Sequence, residues 1–469
     1  MAKAGLILIL GLLVSCSMGP TYEQPKTSPP DAFRMAILDG EAKSIANLPW
    51  WDLLQDEELQ PLIRIALKEN RDFRRAVASI DEFRACALIA KMDFAPQLNA
   101  TVSTPAFGRK ANISFPGFPN PFSYYTQGNL FWEIDVWGRI RRSNEAARDD
   151  LLGREWNRRA VVLQLVSGVA EAYFDLLQFD MQLDIAKRTL QSWEESVRIV
   201  RARLRQGVIF QLDADQFEAD RANAAARAAE FKRQTVQKEN QLNVLLGRNP
   251  HQIPRGRSLT EQLLPLDVPP DLPSELLQRR PDIVQAEQGL AAARARIGVA
   301  KAERFPRITI TGLLGVASPH LSRLVTDETF FGAVGPGLTA PLFNASILGF
   351  QQEAIEAQMW QLVAQYEQAV LVAFKETEDA LVAVSTAREQ REAQAQQVEA
   401  LRSALRLANL RYKGGLANYL DVLIAQRNLF ETELSFTATH RLHLVSIVQL
   451  YKVLGGGPMN ATNKGVGSG

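Results

Sequence analysis

The sequence predicts an α+β membrane protein built from a duplicated unit of strands and very long helical hairpins. Three observations carry that prediction: a repeat along the chain, two proline-free stretches too long for a compact domain, and alternating segments placed alike in both halves. A shift of 208 positions pairs Arg203 with Arg411, Gly207 with Gly415, Asp213 with Asp421, Gly247 with Gly455 and Pro250 with Pro458. A shift of 210 pairs Asp72 with Asp282, Arg84 with Arg294, Lys91 with Lys301 and Pro96 with Pro306. Duplicated units favour a wall or ring with rotational pseudo-symmetry over a single catalytic cleft.

The long stretches run over about 139–206 and 351–413. At 1.5 Å per residue each predicts a helix roughly 90–100 Å long. Val363, Val370, Phe374, Thr377, Leu381 and Val384 fall at the a and d spacing of a helix-to-helix seam. Each stretch ends at a Gly-containing turn, Gly207 in the first and Gly414-Gly415 in the second, and reverses into a helix expected to stop at Gly247 or Gly455. Helices at about 56–94 and 274–304 open the halves and end at Pro96 and Pro306.

Strands are expected after those prolines. Leu98, Ala100 and Val102 alternate with polar residues, as do Leu130, Trp132 and Ile134, then Ile308 and Ile310. A fourth segment sets Val334, Leu338, Ala340 and Leu342 on one face. Such alternation fits a strand between lipid and an aqueous lumen, and also a half-buried soluble sheet. Segment length and the long loops at about 104–123 and 317–330 favour the membrane, where Tyr124, Tyr125 and Trp132 suit its interfaces. Four strands cannot close a barrel, so a membrane sheet here requires several copies of the chain.

The first residues read as an export signal, with Lys3 before an apolar run over residues 6–14. Leu13-Val14-Ser15-Cys16 has the pattern of a lipoprotein cleavage site, which would leave lipid on Cys16. Ser17 favours an outer-membrane address. Cys86, the other cysteine, is expected to be small and buried, with no disulfide framework. A net charge of +1 argues against a nucleic-acid partner. The divisions expected are a signal at 1–15, an equatorial segment at 16–55, repeats at 56–254 and 274–458, a linker at 255–273 and a tail at 459–469.

Several motifs then bring a family into view. Cys16-Ser17-Met18-Gly19-Pro20, Trp50-Trp51 with Asp56, Trp132-Glu133-Ile134-Asp135-Val136-Trp137-Gly138-Arg139, Arg279-Arg280-Pro281-Asp282-Ile283, Ile297-Gly298-Val299-Ala300-Lys301 and Phe305-Pro306 occur in this order. Together they resemble the outer membrane factor family of TolC/OprM-like efflux channels, in its NodT lipoprotein subgroup. The resemblance implies a trimer sharing a twelve-stranded β-barrel, four strands per chain, continuous with a helical periplasmic barrel and a mixed equatorial domain. It implies a passive exit duct for drugs or other small molecules, no enzymatic activity, and no cofactor beyond the lipid. The partners implied are a periplasmic adaptor, an inner-membrane pump of the RND class and outer-membrane lipid. The chain departs from the pattern at Leu342-Phe343-Asn344-Ala345-Ser346, where a changed local bend is expected.

The family alignment places Tyr412, Asp213 and Asp421 at gate-like positions, with Asp215 a less certain fourth. Gly207, Gly414 and Gly415 become the tip turns that meet the adaptor. Repeated around a pore, the acids would repel one another and attract cations. A helix cap or first-turn acid alone also explains Asp at those two places. Ala417 and Ile424 stand where some relatives carry charged gate residues. His440 and His443, at i and i+3, lack an evident third metal ligand and read as a solvated face. Arg139, Arg141 and Arg142 read as a solvated or membrane-proximal basic cluster. An outer-membrane-anchored coiled-coil structural lipoprotein is the alternative, and it leaves the symmetric strands unexplained.

Overall fold

The structure is a computed structural model, and it describes residues 18–20, 23, 25, 33, 45, 48–104, 124–263, 273–326, 329–416 and 418–457. Helices α1 (Trp50–Leu53), α2 (Leu59–Glu69) and α3 (Arg71–Met92) lead to strands β1 (Gln97–Ser103) and β2 (Tyr124–Ile134). A hairpin of α4 (Arg139–Arg205) and α5 (Gln211–Leu245) follows. The second half repeats the order with α6 (Pro273–Arg279), α7 (Pro281–Ala302), β3 (Arg307–Ser318), β4 (Phe330–Thr339), α8 (Ala345–Lys413) and α9 (Tyr419–Val453). Two compact units divide the chain: Met1–Lys26 with Ala78–Glu155 and Gln285–Gln368, and Thr27–Val77 with Trp156–Val284 and Ala369–Gly469.

The first unit holds one antiparallel sheet in the order β1-β2-β3-β4. Its register puts Leu98 beside Leu130, Leu130 beside Gly312 and Gly312 beside Val334. Direct pairing keeps parity, so even-numbered residues share one face throughout. That face carries Leu98, Val102, Ile310, Leu314, Val334 and Leu338, while Asn99, Thr101, Gln127, Asn129, Thr309 and Thr311 lie on the other. The apolar face is open: Leu98 is 77% exposed, Val334 74% and Leu338 71%. The fourth strand ends at Thr339, so Ala340 and Leu342 lie outside it, just where Pro341 cannot donate to a ladder. The loop at 105–123 and the export segment lie outside the described residues.

The junction from β2 to α4 shows what its tryptophan-rich motif does. Asp135 accepts the N–H groups of Ile140 and Arg141, at 3.0 Å each, satisfying donors that a helix start leaves open. Arg139 forks onto Glu133 with two 2.8 Å bonds. Trp132 donates to the Phe94 carbonyl at 3.0 Å and Trp137 to that of Pro306 at 2.8 Å, which ties the ends of α3 and α7 to the sheet. The basic cluster is therefore paired rather than solvated: Arg141 meets Asp135, and Arg142 meets Glu145. At the other junction α8 begins at Ala345, six residues before the expected 351, and Leu342 and Phe343 are exposed.

Each opening helix is broken in two instead of running unbroken. Asn70 leaves the helical region at ψ 135° and its side chain caps α3 through Phe73 N–H at 2.9 Å. At the equivalent break, Arg280 precedes Pro281, whose ring disfavours helical backbone in the residue before it. Both breaks receive a glycine from a hairpin end. A side chain on Gly247 would reach the Glu69 carbonyl at 2.4 Å, and one on Gly455 the Arg279 carbonyl at 3.0 Å.

The second unit holds the helical core. On the part of α8 in that unit, Val370, Ala373, Thr377, Leu381 and Val384 are buried and Phe374 is half-buried; in the first unit's part of the same helix, Tyr366 is buried and Val363 half-buried. Helix α4 has a window apolar enough to cross a membrane, but 61% of that window is buried within the chain. It is a core helix.

Candidate functional site

The two hairpin ends, both in the second unit, share one backbone device. Gly207 and Gly415 each have φ of 71°, a region that favours glycine. Val208 N–H reaches the Arg203 carbonyl at 3.0 Å, and Leu416 N–H reaches that of Arg411 at 2.8 Å. Gly207 and Gly415 donate to Leu204 and Tyr412 at 2.9 and 3.0 Å. These are the paired bonds of a glycine-terminated helix end. Gly414 is not in the left-handed region, and it stands where the first copy has Gln206.

Gly207 and Gly247 have the same sign of φ but different surroundings, since nothing lies within 4 Å of a side chain added at Gly207. Gly207→Ala is expected to cost about 1–2 kcal/mol, the left-handed penalty alone. Gly247→Ala adds a backbone clash, so its thermal unfolding midpoint falls further below wild type.

Asp213 caps its own helix: its carboxylate accepts Phe210 N–H at 3.3 Å. Asp215 accepts from Gln211 at 2.8 Å. Asp421 lies in the first turn of α9, whose N-cap is Asn418, with its side chain accepting Leu420 N–H at 3.5 Å. The structure thus places both acids in the capping positions weighed from sequence, and it does not bring Asp213 to Tyr412. Cys16 and Ala417 lie outside the described residues, and Ile424 is exposed.

Tyr412 instead meets Arg203 of the first hairpin. The guanidinium donates to the phenol oxygen, and its carbon lies 5.3 Å from the ring centroid. From Tyr412 an aromatic chain crosses between hairpins. Tyr419 lies edge-on at 4.5 Å, Phe217 packs on Tyr419 at 4.8 Å, and Trp193 meets Phe217 at 5.8 Å. Tyr419 and Gln426 bond Ser196 and Ser192 at 3.2 and 2.8 Å. Arg427 grips the mostly buried Asp220 with contacts of 2.8–3.1 Å. Of this clasp, only Tyr412 was singled out from sequence.

A second constellation centres on Asp56, 2% exposed. One oxygen accepts Glu58 N–H and Leu59 N–H at 2.9 Å each and the Tyr173 hydroxyl at 3.2 Å. The other accepts Arg257 N–H at 3.1 Å and the Gln262 amide at 2.7 Å. Gly256 N–H completes the knot by donating to the Tyr173 oxygen at 2.8 Å. Burial opposes ionisation, but the Gln262 amide and the three backbone donors outweigh it and hold the carboxyl below its ordinary pKa.

His440 and His443 are buried, 8% and 1% exposed, and not on a solvated face. Helix α9 is apolar on several sides there, with Leu444, Val445, Ile447 and Val448 all buried. Burial, with Arg391 adding like charge, pushes each histidine down to about 4. Unfolded histidine titrates near 6.5. Between these values the unfolded chain holds more protons, so stability falls as pH drops from about 6.5 to about 4. Thermal melts at pH 7 and 5 are expected to show a lower midpoint at pH 5, with a smaller difference in His440→Gln/His443→Gln. Cys86 is also a correction, since it is exposed on α3 beside the exposed Leu88, Ile89 and Met92.

The sequence profile of the outer membrane efflux protein family matches twice, at residues 62–248 and 272–456. The chain belongs to the outer membrane efflux protein family. It is 34% identical to the probable efflux pump outer membrane protein TtgC of Pseudomonas putida, over 95% of this chain and 93% of that one. It is 32% identical to the probable outer membrane lipoprotein SilC of Salmonella typhimurium, over 95% and 96%. The open-state outer membrane channel MtrE of Neisseria gonorrhoeae superposes with a TM-score of 0.85 at 32% identity, covering 94% of this chain and 98% of that one. As a member of this family the chain is an outer-membrane efflux channel, with the family's sheet and long helical hairpins. The family is one of transport channels rather than enzymes.

Proposed function

We propose that three copies of this chain form the exit duct of a tripartite efflux system, carrying drugs or other small molecules delivered by an RND-class inner-membrane pump through a periplasmic adaptor. The sheet is the observation that supports this reading. Its even-numbered face is apolar and open, its other face carries Asn99, Thr101, Gln127, Asn129, Thr309 and Thr311 together with Phe131, Leu313 and Phe331, and β1 and β4 each pair on one side only among the described residues. Open edges are forbidden in lipid, so copies must pair edge to edge until the barrel closes. Three copies give twelve strands. A structural spacer explains the hairpins but not an exposed apolar sheet face.

Cys16 is the proposed lipid attachment. The segment two residues beyond it is strapped to the unit that holds the sheet. Met18 N–H donates to the Trp137 carbonyl at 3.2 Å, and Arg142 donates to the Met18 carbonyl at 3.2 Å. Gly19 and Gly298 approach so closely that a side chain on Gly298 would meet the Met18 carbonyl at 2.7 Å. The hairpin ends are the proposed periplasmic mouth, with Gly207, Gly414 and Gly415 in its turns. Arg203, Tyr412 and Tyr419 fasten the two hairpins together there, with Asp213 and Asp421 as acids beside it.

Cross-linking in intact outer membranes tests the assembly, and dye retention tests the transport. The expected result is a ladder ending at three copies, with a deletion strain retaining a fluorescent efflux dye that the restored gene clears. A ladder ending at one copy, or dye clearance independent of the gene, contradicts the proposal.

A further inference from the structure

The odd-numbered face of the sheet carries an oblique apolar band that sheet packing leaves unexplained. Phe131 pairs with Thr311, and Leu313 lies two residues further along β3. Leu313 pairs with Ala333, and Phe331 lies two residues earlier on β4. The three are therefore diagonal neighbours across β2, β3 and β4, a spacing that large side chains can bridge. Phe331 lies opposite Gly315, and a ring laid over a glycine is a known device of sheets. Phe131 has no glycine to cover: it faces Gln97 and Thr311, and it is 45% exposed. Leu313 is not demanded by the sheet either, since the shift of 210 puts Ser103 at its place in the first copy.

Charge is confined to one end of the same face. Among the odd-numbered strand residues only Glu133 and Arg307 are charged, both beside the helices. Arg139 holds Glu133 at 2.8 Å, and Glu303 holds Arg307 at 3.5 Å. Next to the band lies an uncharged network, in which Gln127 donates to Asn129 Oδ1 at 3.0 Å and Asn129 donates to the Thr101 hydroxyl at 3.3 Å. The four strands hold no Cys, Met, His or Asp, so metal ions find no donor set there. Aromatic and aliphatic side chains beside amides and hydroxyls match a solute of the same mixed character, with a ring at one end and hydrogen-bonding groups at the other.

We propose that Phe131, Leu313 and Phe331 form a weak contact strip on the barrel wall for uncharged amphipathic molecules that carry an aromatic ring and hydroxyl or amide groups. The proposal rests on the efflux-duct reading and adds the cargo's chemistry. With the even-numbered face against lipid, the odd-numbered face lines the passage, so the solute that meets the strip is the one in transit. Three separate side chains give contacts weak enough for that solute to leave again, as conduction requires.

The test uses the full-length protein in detergent and saturation-transfer NMR on two neutral probes, para-nitrophenyl glucoside and methyl glucoside, with empty micelles as the blank. The aryl glucoside is expected to bind and the methyl glucoside to stay free. Phe131→Ser with Leu313→Ser is expected to weaken the aryl glucoside about fivefold. Phe131→Leu keeps an apolar side chain and removes only the ring, so it reads the strip even if the double variant fails to assemble; a loss of about threefold is expected. Equal binding of the two glucosides, undiminished affinity in the variants, or displacement of the aryl glucoside by zinc ions overturns the proposal. Channel conductance is recorded on the same preparations. A protein that conducts but ignores the ring refutes the contact strip alone, whereas one that does not conduct contradicts the duct reading and the strip with it.

Discussion

Arg203→Ala is expected to admit bulky antibiotics that the outer membrane normally excludes, and Tyr412→Phe to do so more weakly. Arg203 joins the hairpins twice through one ring, by a hydrogen bond to the phenol oxygen and by a cation–π contact at 5.3 Å. The alanine variant loses both, whereas the phenylalanine variant keeps the ring contact. A cation–π contact at an exposed site contributes about 0.5–1 kcal/mol and a hydrogen bond to a charged donor about 1.5–3 kcal/mol. Losing both together, about 2–4 kcal/mol, shifts a two-state closure by roughly thirtyfold to nearly a thousandfold. Tyr419→Ala removes the next link, including the 4.5 Å and 4.8 Å ring contacts and the bond to Ser196. The readout is growth inhibition by a large antibiotic at matched expression. Wild-type resistance in Arg203→Ala and Tyr419→Ala would show that the clasp is not a closing element.

Asp56→Asn is expected to cost about 3–5 kcal/mol, despite being nearly isosteric. All five groups aimed at this side chain are donors. An amide presents its own donor to one side of that ring, so at least two buried donors lose their acceptor. The knot joins the start of α2, Tyr173 on α4 and the linker at Gly256 and Arg257. Urea unfolding should show the loss as a lower midpoint, accompanied by earlier proteolysis between the two repeats. The folded carboxyl has a depressed pKa, so its contribution is complete above the unfolded value near 3.9 and disappears as pH falls through the folded value. The gap between Asp56→Asn and wild type should therefore narrow at acid pH.

Glycine positions and apolar periodicity made most of the fold legible. The repeat located both hairpin turns, and period-two alternation found all four strands, with an error only where Pro341 cuts the last one short. Partners were harder to read, because a period says which residues share a face but not which helix that face meets. Tyr412 meets Arg203 across 209 positions, and that pairing depends on the rotational setting of two separate hairpins. The polarity of His440 and His443 points to a solvated face, whereas Leu444, Val445, Ile447 and Val448 around them mark a helix buried on several sides. The arginine cluster at 139–142 had its acids in the same motif, at Glu133 and Asp135. Asp56 lay inside a recognised motif, but its partners at Tyr173, Arg257 and Gln262 come from distant segments that only the folded chain brings together.

Single-channel recording of the purified full-length protein in planar bilayers tests the central claim most directly, because a sheet that closes only through copies of itself must enclose a lumen. Discrete, stable current steps are expected from the fraction that cross-links as three chains, with larger steps from Arg203→Ala. Bare-bilayer current from that fraction, in both wild type and Arg203→Ala, would contradict the account.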